Sequence, residues 1–272
     1  MDNNILSAVL DNTQFSAVYN MLSLGIASML FTSIFLWVAR DRVLPKYRLA
    51  VMVSATVTSI AAYHYFRMFD SFNAAYGGTH TAGEAFAHYN VGYRYIDWFL
   101  TVPLLLVELV AVLGLAKAVQ SSLLKRLVPA AALMIALGYP GDAKLNILGI
   151  EGTGFASEAA VWGLLSTIPF LYIMYVLWFE LKKSLSSQSD KVRGLFQTLR
   201  VLLIATWGVY PITFILAMNT NGIPSASDVV NREVGYTIAD ILAKCLFGLI
   251  IFSIARIKSA EEDKSHASAE GH

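Results

Sequence analysis

The chain has 272 residues, 56% of them apolar and only 14% charged, with a formal net charge of +1. Soluble domains carry about 25% charged residues, and a mean hydropathy of +0.57 leaves too little polar surface to coat one or two water-soluble domains. The near-zero charge excludes a nucleic-acid footprint, and the single cysteine, Cys245, excludes both an intramolecular disulfide framework and a paired-thiolate metal site. This is the composition of a membrane protein.

A bilayer core about 30 Å thick needs roughly 20 apolar residues per crossing helix. Seven stretches qualify, at 16–39, 48–70, 91–114, 124–141, 157–181, 197–219 and 231–257. They predict an all-α bundle of seven transmembrane helices in one domain, residues 1–259. The alternating strands of an outer-membrane barrel and any repeat of fixed period are both missing from the pattern. The first twenty residues hold no Lys or Arg, so no signal-peptide start is expected and the first span inserts as a helix. The long segment 71–90, with Gly77, Gly78 and Gly83, is compatible with a hairpin without fixing one. The small, polar tail 260–272 is expected to be disordered.

Basic residues set the orientation. Fifteen of the twenty lie on one side: Arg40, Arg42, Lys46 and Arg48, then Lys117, Lys125 and Arg126, then Lys182, Lys183, Lys191, Arg193 and Arg200, and finally Arg256, Lys258 and Lys264. The positive-inside rule therefore puts the N-terminus outside and the C-terminus in the cytoplasm.

Ionisable groups within spans are costly and mark function by default. They are His64 and Arg67 in the second span, Arg94, Asp97 and Glu108 in the third, and Asp240 and Lys244 in the seventh. Asp240 and Lys244 are four residues apart and share one helix face. At about 100° per residue, Arg94 lies about 60° from Asp97, Thr101 about 40° and Glu108 about 20°, the last roughly 16 Å along the axis. One face thus carries Arg, Asp, Thr and Glu in a line across half the membrane. A proton relay needs such a line. A packing clamp could also use the Lys–Asp pair, and Glu108 alone could reach the inner interface, but neither accounts for the whole set.

The stretches GYRYIDWFLTVPLLLVE (92–108), WGVYP (207–211) and VGYTIADILAK (234–244) resemble the microbial rhodopsins, and the likeness covers essentially all seven spans. Within that family the chain most resembles the proteorhodopsin- and xanthorhodopsin-like proton pumps, and AAYHYFR (61–67) and WGLLSTIPF (162–170) favour the second. The resemblance implies all-trans retinal bound covalently to Lys244 as a protonated Schiff base. Asp97 would be its counterion and proton acceptor and Asp240 the second counterion, hydrogen-bonded by Tyr65 and Tyr210. Arg94 would offset the repulsion between the two aspartates, and His64 would share a hydrogen bond with Asp97. The resemblance further places Trp98, Leu105, Trp207 and Phe214 along the polyene, and Met134, Gly138, Ser166 and Phe170 around its ring. Each of these alone reads first as core packing, and only the set inside the family pattern makes a pocket. Pro103 and Pro211 are expected to interrupt helix hydrogen bonding.

The triplet Asp97, Thr101 and Glu108 matches the outward proton-pump pattern of acceptor, hydroxyl and donor. The function implied is a light-driven outward proton pump, a transporter rather than an enzyme, with a sensory photoreceptor signalling to a partner as the alternative. A retinal-free secondary transporter would show discontinuous helices and repeats, which are not seen. Gly163 stands where related chains place a tryptophan. It serves close helix packing on one reading, and on the other it opens a slot for a hydroxylated carotenoid antenna. The partners implied are protons, the lipid bilayer and further copies in a homo-oligomer, a pentamer by family likeness, with no nucleic acid. The location implied is the bacterial plasma membrane.

Overall fold

In the computed structural model, residues 9–78, 80–181, 185–186, 188–218 and 225–270 are described. Among them, seven helical spans are long and apolar enough to cross a membrane: Asn12–Arg42, Pro45–Tyr76, Gly92–Val112, Lys117–Asp142, Glu158–Glu180, Asp190–Ile215 and Ala226–Asp263. No strand occurs among the described residues. Each span packs on its neighbours in chain order and the first returns to the seventh, closing the ring. The third and seventh spans are the most enclosed after closure. Side chains such as Phe31, Val38, Leu164, Ile168 and Ile212 project outward, where a lipid phase accepts them.

Most helices begin earlier than the apolar stretches do, because polar caps rather than hydropathy start them. The Asp11 side chain accepts the Gln14 amide at 2.8 Å while the Gln14 side chain accepts the Asp11 amide at 3.0 Å, a reciprocal capping box. Ser189 caps the sixth span, and Ser225 with Asp228 boxes the start of the seventh. Pro45 occupies the first turn of the second span, where its missing N–H costs nothing. The outer segment 71–90 is not a hairpin. The second span runs on to Tyr76, and Thr81 and Glu84 cap a short helix, Ala82–His88. The tail is likewise not irregular: the last helix continues to Glu270, because Ala, Glu and Lys favour helix once a preceding turn exists. Residues 271–272 lie outside the described set, as do Lys182 and Lys183 of the basic count.

Proline acts unequally. The sixth span breaks at Gly208, dividing into Asp190–Trp207 and Val209–Met218, because the Pro211 ring collides with the carbonyl four residues back, on Trp207. The third span passes Pro103 without a break. Two wide π turns occur, Val176–Glu180 in the fifth span and Ile241–Leu246 in the seventh, and the second carries Lys244. Such turns gather at functional positions.

One close approach links the outer layer to the interior. A Cβ on Gly25 of the first span would lie 2.5 Å from the Tyr65 ring. Only hydrogen there lets Tyr65 sink to full burial. Gly25→Val is therefore expected to overpack the first and second spans by about 1–3 kcal/mol. A thermal unfolding scan should show the lowered midpoint, and an unchanged midpoint would mean the two spans separate freely.

Candidate functional site

The π turn of the seventh span delivers Lys244 to the bundle axis, one turn beyond Asp240. Its ammonium donates to Asp97 Oδ2 at 2.6 Å and to Asp240 Oδ1 at 2.9 Å. All three side chains are almost fully enclosed. The sequence pattern placed them on two helices; the fold joins them.

The two aspartates differ in their remaining partners. Asp240 Oδ2 accepts Tyr65 Oη at 2.8 Å, and its Oδ1 accepts Tyr210 Oη at 2.7 Å and Trp98 Nε1 at 3.4 Å. Among the described side chains, Asp97 accepts from Lys244 alone, through Oδ2. Thr101 Oγ1 donates to the backbone carbonyl of Asp97 at 2.8 Å, not to the carboxylate. The expected hydrogen bond from His64 to Asp97 is not formed. His64 Nδ1 instead meets the Ile60 carbonyl one turn back, at 3.0 Å, the nearest acceptor its own helix offers.

Arg94 bonds to neither aspartate directly, and its charge acts on Asp240 through space. Its Nη2 pairs with Glu233 Oε2 at 2.5 Å and its guanidinium lies over the Tyr236 ring at 4.6 Å. Glu233 further accepts Tyr89 Oη at 2.8 Å and Arg232 Nε at 3.2 Å. A full carboxylate in direct contact wins over the aspartates, whose oxygens face Lys244. Glu233 was missed because it falls at the end of an apolar stretch, where acids usually meet water. Its signal was spacing: seven residues before Asp240, it returns to within about 20° of the same face.

Glu108 is fully buried, and the Ser54 hydroxyl of the second span is the hydrogen-bonding group beside its carboxyl. It stands on the Asp97 face of the third span, with enclosed Leu105 and Leu109 beside it. It does not reach an interface.

Beside Lys244 lies a cavity of about 460 Å³, within the roughly 300–1,000 Å³ usual for small-molecule sites. Trp98, Leu105, Met134, Gly138, Ser166 and Phe170 line it, as do Trp207, Tyr210, Phe214 and Gly163. Tyr65 does not; it acts on Asp240 from behind. Lys244 and Asp240 are its only charged lining residues among those described, so the charge sits at one end of an apolar chamber. Val102, Ile135, Pro211 and Ala243 also line the chamber and carry no chemical signature to reveal them. Phe155, Leu164 and Ile215 line it too, at 75%, 68% and 42% exposure, so the chamber opens sideways between the fifth and sixth spans. A Cβ on Gly163 would stand 2.6 Å from the Phe214 ring at that opening.

Residues 16–258 match the family model of bacteriorhodopsin-like proteins. The green-light absorbing proteorhodopsin of Gamma-proteobacterium EBAC31A08 is 33% identical over 230 residues, covering 84% of this chain and 82% of its own. Bacteriorhodopsin of Halobacterium salinarum is 31% identical over 179 residues, covering 65% and 62%. Among solved structures, xanthorhodopsin, described as a light-driven ion pump with dual chromophore, superimposes with a TM-score of 0.84 at 44% identity, covering 93% of this chain and 98% of that one. A thermophilic rhodopsin gives 0.83 at 40% identity, covering 93% and 98%. Likeness of this extent, in sequence and in backbone, assigns the chain: it belongs to the bacteriorhodopsin-like family and is a multi-pass protein of the cell membrane.

Proposed function

We propose that the chain is a light-driven outward proton pump. The observation that carries this reading is the unequal pair around Lys244: Asp240 accepts from two tyrosines and a tryptophan as well, whereas among the described side chains Asp97 accepts from Lys244 alone. The rhodopsin family implies retinal, and the chamber fits it, being long, apolar and closed at one end by an amine between two carboxylates. Bound through Lys244, retinal supplies absorption of visible light and a light-triggered change in proton affinity at the Lys244 nitrogen.

The residues then divide the work. Asp240 stays an anion, since a proton arriving there would displace a hydrogen bond from Tyr65, Tyr210 or Trp98. Asp97 takes the proton from the Lys244 nitrogen, which its Oδ2 already contacts. Glu108 holds a proton in an enclosed pocket that suits a neutral acid, with the Ser54 hydroxyl as the one polar side chain beside it among the described residues. It returns that proton to the Lys244 nitrogen from the side bearing most of the basic residues, which the positive-inside rule makes cytoplasmic. Acceptor near the outer end and donor near the inner end of one helix give an outward direction.

Cells or vesicles holding the protein with added retinal should acidify the outer medium under light, and a protonophore should abolish the signal. Lys244→Ala should remove both pigment and signal. A parent pigment that moves no protons would instead be a photoreceptor signalling to a partner.

Glu108→Gln should slow the return of the proton to the Lys244 nitrogen and make its rate follow the bulk proton concentration. A small weak acid such as azide should partly restore it. Flash spectroscopy reads the rate, and turnover at the parent speed removes Glu108 from the donor role.

The sideways opening at Gly163 supports the second chromophore as a hydroxylated carotenoid lying against the fifth and sixth spans. Bound there, it supplies light absorption at shorter wavelengths and passes excitation inward. An indole at 163 meets the Phe214 ring and fills the opening. Pumping driven by carotenoid-absorbed light should appear in the parent and vanish in Gly163→Trp. An action spectrum equal in both refutes the slot.

A further inference from the structure

The segment between Glu108 and the inner end of its helix is dry: Leu109, Val110, Val112 and Leu113 are all fully buried. Over the roughly 7 Å that these residues span, no polar side chain offers a proton a place to stop. The helix ends at Val112, and Gly114, at φ +63°, turns the chain away. The Leu113 carbonyl is thereby left as an orphan acceptor at a helix C-terminus.

Lys258 of the seventh span meets it. Its buried ammonium donates to the Leu113 carbonyl at 2.7 Å and to Gln188 Oε1 at 2.9 Å, and lies 5.2 Å from the centre of the Tyr47 ring. Gln188 Nε2 returns a bond to the same carbonyl at 3.4 Å. Tyr47 Oη donates to Glu262 Oε1 at 2.5 Å, Lys46 pairs with Glu262, and Ser259 Oγ accepts the Leu44 amide at 2.9 Å. One ammonium thus meets the start of the second span, the end of the third and the segment before the sixth, and it belongs to the seventh. A cation at a helix C-terminus is also favoured by the helix dipole.

We propose that Lys258 is a positioning residue for proton uptake: its hold on the Leu113 carbonyl keeps the dry segment closed and sets the rate at which Glu108 regains a proton from the cytoplasm. The inference rests on the reading of Glu108 as donor. The fastened Leu113 carbonyl closes the inner end of the helix that carries Glu108. Uptake therefore requires that the fastening open, and the ammonium is its strongest single contact.

The test uses Lys258→Met, which keeps the length of the side chain and removes its charge and donors, beside the milder Gln188→Ala. Time-resolved infrared spectroscopy follows the Glu108 carboxyl, and hydrogen exchange in the dark follows the amides of 109–113. Lys258→Met should speed the recovery of protonated Glu108 roughly tenfold, the scale of one lost charge-assisted hydrogen bond. Exchange at 109–113 should quicken while proton transfer to Asp97 and the colour stay as in the parent. Gln188→Ala should do the same to a smaller degree, and decides the matter if Lys258→Met does not fold. Faster exchange without faster recovery, or recovery unchanged or slower in both variants, overturns the proposal. Failure of Glu108→Gln to slow the cycle overturns the donor reading instead, and the dark exchange result separates the two.

Discussion

An ammonium ion held inside a membrane by two carboxylates is the constraint on which this structure depends. Desolvating three charges is expensive, and leaving any one of them unpaired costs about 3–5 kcal/mol in buried sites generally. The bundle responds by building outward in layers. Tyr65 and Tyr210 come from the second and sixth spans to serve Asp240, and Gly25 of the first span yields space so that Tyr65 can arrive. Beyond them Arg94 and Arg232 close on Glu233, so that among the described residues three cations pair with three anions along the interior. These paired groups cancel in charge.

Neutrality does not mean symmetry. A pump needs one carboxylate that remains charged and one that changes state. The protein separates these duties by the number of donors it supplies, not by the kind of residue, since both are aspartates at similar depth. Glu108 differs from both: among the described residues no cation touches it, and the Ser54 hydroxyl is its polar neighbour.

Much of this was legible in the sequence because charges in apolar stretches are rare and helical spacing is rigid. Asp240 and Lys244, or Asp97 and Glu108, could be placed on shared faces by arithmetic alone. The chamber residues needed family likeness, since Trp98 or Phe170 in a core looks like any aromatic. Contacts between helices were beyond reach: nothing in the order of residues says that Arg94 turns to Glu233, or that the His64 ring spends Nδ1 on its own helix. Helix ends were misjudged wherever a polar cap or an alanine- and glutamate-rich tail extended a helix beyond its apolar part, as at Ser189 and after Ala260. Hydropathy reports where lipid is, and capping reports where helix is.

The sideways opening of the chamber has a consequence for how the pocket should be regarded as a medium. Phe155, Leu164 and Ile215 face both the chamber and the exterior, so part of the wall is made of whatever acyl chain stands beside them. That portion is fluid, exchanges with its surroundings, and differs with chain length and saturation. The bilayer is then a component of the solvent that the chamber presents to its contents, and the protein has left a share of its interior composition to the host membrane.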